Sequence, residues 1–160
     1  MEEGARKAGR DPAQLDLGSV IVGSIGRDLR KGKDGAREMA AMYLANKVQN
    51  IVGSADVLLQ SAGLSFDDIR PIAEAMEQGG LKAAARALTY EVFEKVKPIA
   101  GTPDECIARI EEYRDAGCTH IMLEIWGEDR EEQARLFGEG VLPHLKKQAF
   151  SQQNRPPGDN

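Results

Sequence analysis

The stretch Gly101 to Gly117, GTPDECIARIEEYRDAG, runs straight into Cys118-Thr119-His120-Ile121-Met122-Leu123-Glu124-Ile125, and it constrains the fold more than any other segment. Thr102 suits a helix N-cap and Pro103 the first helical position. Glu105, three residues after the cap, completes a capping box. Gly117 stops the helix. A buried strand just past a helix stop is the αβ half of a βαβ unit, which implies a parallel sheet.

An earlier strand is predicted over 15–25, LDLGSVIVGSI. Its consecutive β-branched Val20, Ile21 and Val22 suit a strand buried on both faces. The end of a helix over Glu2 to Gly9 and a turn at Arg10-Asp11-Pro12 precede it. Gly26 to Gly35, GRDLRKGKDG, reads as a polar, basic loop.

Residues 36–97 carry no strand signal and read as a long helical insertion. Its helices are expected over 36–52, 57–62, 66–78 (capped by Ser65) and 81–97, with Pro98 as the final stop. Met39, Met42 and Met76 read as gap-filling core of this block. After the strand 119–125 come a loop, Trp126 to Asp129, and a helix from Arg130 to about Phe150, in which Pro143 introduces a kink or a fresh turn. Ser151 to Asn160 is polar and Pro-containing, and is expected to be a disordered tail beyond a unit spanning 1–150.

Composition narrows the function. The net charge is -5 and aromatic residues make up 5% of the chain, with basic residues scattered, so nucleic acid is not an expected partner. No apolar run is long enough for a membrane helix, and MEEGARKAGRDP has no apolar core like that of a secretory signal. Cys106 and Cys118 are not in a CxxC spacing and read as reduced thiols of a cytoplasmic protein. With His120 and His144 apart, no metal set is formed, and no Ser-His-Asp arrangement is present. GSIGRD is not GxGxxG.

Two parallel strands leave two open edges and bare apolar faces. The chain therefore reads as the last portion of a larger α/β protein, completed by further strands or by a copy of itself.

The order of these segments resembles the C-terminal part of the luciferase-like oxidoreductases, TIM barrels that use FMN or the deazaflavin coenzyme F420. The GTPDE helix start, the AGCTHIMLE junction and the closing VLPHLKK carry the likeness. EEGARKAGRDPAQLDLGSVIVGSI is similar to the family's helix six and strand seven. NKVQNIVGSADVLLQSAGL and IRPIAEAMEQGGLKAA are most similar to the methylenetetrahydromethanopterin reductase branch.

The resemblance implies hydride transfer between a reduced deazaflavin or flavin and a small-molecule substrate, with the ring in the barrel mouth at the C-terminal strand ends. It also implies that catalytic residues lie mostly in strands one to six, outside this sequence, so that the chain alone is incomplete. Cofactor-contacting candidates follow the two strand ends: Gly23, Ser24 and Ile25 (with Gly26) after the first, and Glu124, Trp126 and Gly127 after the second. The turn Ile125-Trp126-Gly127-Glu128 replaces the family's Ser-Pro-x-Gly type. Arg27, Arg30, Lys31 and Lys33 form a basic cluster, read either as a clamp for a coenzyme tail or as a solvated loop. A separate reading is a non-catalytic helical module that self-associates.

Overall fold

A computed structural model describes residues 2–49 and 55–146. Its centre is a parallel three-stranded sheet of order β2-β1-β3, from β1 (Gly18–Ile25), β2 (Ile99–Gly101) and β3 (His120–Ile125). Strand β1 pairs with β3 from Gly18↔His120 to Gly23↔Ile125, and with β2 only from Gly23↔Ile99 to Ile25↔Gly101. The predicted strand pair is thus present, with β1 beginning at Gly18 rather than residue 15. A third strand, β2, was not expected. Three residues wedged between Pro98 and a helix cap are too short to show a periodicity.

The helices follow in order. They are α1 (Glu2–Lys7), α2 (Leu29–Gln49), α3 (Ala55–Ser61), α4 (Phe66–Ala87), α5 (Tyr90–Lys95), α6 (Pro103–Asp115) and α7 (Arg130–Leu136). Helix α6 starts as the sequence dictates. The Thr102 backbone N–H donates to Glu105 Oε2 at 2.9 Å, and the capping box is closed. Ser65 and Asp68 close a second box at α4.

Three expectations change. The basic loop over 26–35 is mostly helix, because α2 already starts at Leu29 and Asp28 Oδ1 accepts from the Lys31 N–H at 2.9 Å. Its polar, basic character had suggested a loop. Gly32 is in the helix because a Cβ there would lie 2.2 Å from the Gly101 carbonyl oxygen. The single helix expected over 81–97 is divided, since Leu88 leaves helical geometry and Thr89 caps α5 by accepting from the Val92 N–H. The last helix passes from α7 into a π-turn, Phe137–Val141, just ahead of Pro143, as its missing N–H and i−4 clash demand. The expected break at 53–56 falls partly, and the tail over 151–160 wholly, outside the described residues.

Two apolar clusters sandwich the sheet. On one face Ile21 and Ile25 of β1 pack with Ile99, Cys106 and Ile110, and with Phe137 and Val141 beyond α7. On the other, Val22 packs against the helical block, in which Ala36, Ala40, Leu44, Ile69, Ile72 and Phe93 are buried. The notion of strands buried on both faces is corrected here. Val20 is 58% exposed and Met122 57%, because α2 covers only the C-terminal half of that face. Among the described residues, no strand covers the outer edge of β3 or the β2-side edge of residues 18–22.

Candidate functional site

A cleft of about 820 Å³ opens at the C-terminal ends of β1 and β3. Parallel strands end there together, so the segments after each converge. Ser24, Ile25 and Gly26 line one wall, and Trp126 and Gly127 the other. Four of the six residues singled out from the sequence are therefore brought together. Gly23 is not among them: its open side faces Leu123 and Phe137 in the core. Glu124 does not line the cleft either: it pairs with Val22 on the α2 side of the sheet and accepts a 2.7 Å hydrogen bond from the Tyr43 hydroxyl. That bond, with some burial, raises the Tyr43 phenol above its ordinary value.

Ser24 is 1% exposed, and Trp126 holds the Arg130 guanidinium 4.8 Å from its ring centroid. Gly127 adopts φ 130°, and a Cβ there would sit 2.3 Å from Gln133 Nε2, so only glycine fits. Gln133 itself was not anticipated. It comes from α7, is 6% exposed, and accepts from the Ile25 N–H at 3.1 Å. One signal was available: Gln133 stands at the i−3 and i−4 positions of Leu136 and Phe137, where a helix facing the core would carry an apolar residue.

The basic cluster does not form a free clamp. Arg27 meets Glu132 at 3.0 Å, Arg30 meets Asp34 at 3.6 Å, and Lys31 lies 4.0 Å from Asp28. Lys33 leaves the cleft altogether and donates to Glu94 at 2.7 Å and Tyr90 at 2.6 Å. Burial pulls the Lys33 ammonium down, but these partners outweigh it and leave its pKa raised. Glu94 in turn binds Arg109 at 3.2 Å, which ties α2, α5 and α6 together.

His120 lies at the opposite end of β3, 3.8 Å from Asp16, and His144 is 3.1 Å from Glu111. Cys106 is fully buried, and burial pushes its thiol up to about 12. Among the described residues no group of three or more His, Cys, Asp or Glu could hold a metal, and no helix is long and apolar enough to cross a membrane.

A cleft at the carboxyl ends of parallel strands, with helices packed on the sheet, is where α/β folds, TIM barrels among them, place their ligand sites. The chain is similar to coenzyme F420-dependent oxidoreductases. It is 31% identical over 148 residues to 5,10-methylenetetrahydromethanopterin reductase of Methanopyrus kandleri, covering 92% of this chain and 40% of that protein. It is 30% identical over 144 residues to F420-dependent glucose-6-phosphate dehydrogenase 1 of Rhodococcus jostii, covering 90% and 36%. The solved coenzyme F420 dependent tetrahydromethanopterin reductase from Methanopyrus kandleri superposes with a TM-score of 0.73 at 30% identity, over 89% of this chain and 39% of that one. The chain thus spans about two fifths of the length of these relatives. No model of a known protein family matches it.

Proposed function

We propose that this chain forms the C-terminal wall of a cytoplasmic oxidoreductase that transfers hydride between coenzyme F420 and a small-molecule substrate. The convergence of Ser24, Ile25, Trp126 and Gly127 on one cleft at the strand ends carries this reading. The residues present fit the coenzyme in part. The cleft volume falls within the usual range for small-molecule sites. Gly127 keeps one wall thin, and Trp126 lines it beside Arg130.

When bound, the coenzyme supplies the hydride donor or acceptor carbon. The chain's own residues bind and orient it and keep water from the apolar wall. The exposed Val20 and Met122, and the bare edges of β1 and β3, suit pairing with the strands of an N-terminal half-barrel. Catalysis then requires that half.

The test is a fluorescence titration with coenzyme F420, with the chain in its native polypeptide context. Saturable quenching at micromolar coenzyme is expected, and a flat titration removes the reading. The same bare edges favour a second reading, a self-associating module without coenzyme. Concentration-dependent dimers in sedimentation, combined with that flat titration, would select it.

A further inference from the structure

Gln133 is more than a structural tie. Its side chain is buried, yet its one hydrogen bond among the described residues is the one that Oε1 accepts from the Ile25 N–H. That bond fixes the amide orientation, because a backbone N–H can face only the oxygen. Nε2 therefore points the other way, against Gly127 in the wall of the cleft. No fully enclosed side-chain nitrogen or oxygen in the described residues lacks a partner, so Nε2 is not fully enclosed, and Gln133 is part of the cleft lining. Two N–H donors are thus held ready by a residue that cannot rotate away without breaking its bond to β1.

We propose that Gln133 Nε2 is a ligand-binding donor that reads an uncharged carbonyl oxygen on the ring bound in the cleft. Charge decides between a carbonyl and a phosphate. The lining carboxylates Asp34, Glu38, Glu128, Asp129 and Glu132 outnumber the lining cations Arg27, Lys31, Lys82 and Arg130. Arg27 pairs with Glu132, Arg30 with Asp34 and Arg135 with Glu132, and Arg130 lies over Trp126, so these charges are largely matched. The lining therefore offers an anion no surplus of positive charge, whereas a neutral carbonyl would meet a positioned amide donor. Gly127 adds the clearance, since any side chain at that position would collide with the donor.

This inference rests on the coenzyme reading above, and the experiment separates the two. Gln133→Glu keeps an oxygen facing the Ile25 N–H and removes the donor, placing negative charge opposite the ligand oxygen. Coenzyme F420 should bind the folded variant at least about tenfold more weakly. Equal affinity in variant and native protein overturns the inference alone. No binding by the native protein overturns the coenzyme reading and this inference with it.

If the variant fails to fold, the side-chain amide of Gln133 is followed by ¹⁵N NMR in the unaltered protein. Coenzyme F420 should shift its Nε2 resonances and inorganic phosphate should not. A shift with phosphate alone, or none with the coenzyme, overturns the assignment.

Discussion

The Tyr43 hydroxyl donates to Glu124 Oε2 at 2.7 Å and so fastens the middle of α2 to the end of β3, across the sheet from α6. The two residues are far apart in sequence, and among the described residues neither pairs with a cation. The bond holds the phenol in its protonated form, because a phenolate beside a carboxylate would repel it.

The alkaline behaviour of Tyr43 follows from that contact. Its phenol pKa is raised in the folded chain, by the Glu124 hydrogen bond first and burial second. The resulting stabilisation is complete below the unfolded phenol value and is lost as pH rises through the folded one. Glu124→Gln should bring the Tyr43 titration, followed by ultraviolet absorbance, back toward an ordinary phenol. An unchanged titration midpoint would show that the bond is not populated in solution.

The two thiols should differ sharply in reactivity. Cys106 is fully buried with its thiol pushed up to about 12, whereas Cys118 is only partly covered. Only the thiolate reacts at a useful rate. A colorimetric thiol reagent at pH 8 should titrate one thiol per native chain promptly, and the second only in denaturant. Prompt reaction of both would mean that α6 does not seat on the sheet as described.

Gly32→Ala is a discriminating test of how α2 meets β2. In an exposed helix, alanine would gain roughly 1 kcal/mol over glycine. Here the new methyl would sit 2.2 Å from the Gly101 carbonyl oxygen, so a net loss of about 1–3 kcal/mol is expected in chemical denaturation. Gly4→Ala, where nothing lies within 4 Å, serves as the control and should be neutral or mildly stabilising.

The capping box of α6 offers a stability measurement independent of any ligand. Thr102→Ala should cost about 1 kcal/mol by loss of the N-cap acceptor. Glu105→Gln should cost less, since it retains an oxygen for the Thr102 N–H. Thermal melts of the two variants rank these losses, and the reverse order would contradict the box geometry.

How far the sequence discloses this structure depends on the range of the signal. Thr102, Pro103, Glu105 and Gly117 act within one or two turns, so α6 and the entry to β3 are legible residue by residue. The convergence of Ser24, Ile25, Trp126 and Gly127 is legible through strand direction, because parallel strands end on one side. The start of α2 is not, because Gly32 answers to Gly101 and Gly35 to Ser24 and Trp126, neighbours from other elements. Gln133 and the Tyr43–Glu124 bond are not either. Each depends on a partner about 80 or more positions away, for which a local pattern carries no information. Strand β2 owes its existence to the free edge of β1 rather than to its own three residues.

The central place of β1 has a consequence for the order in which the chain folds during translation. Val20, Ile21 and Val22 leave the ribosome long before Ile99, the first residue of β2, or His120, the first of β3, has been made. The helical block, whose contacts run between α2 and α4, can gather during that interval. The sheet is then the last part to assemble, closing on helices that are already in place.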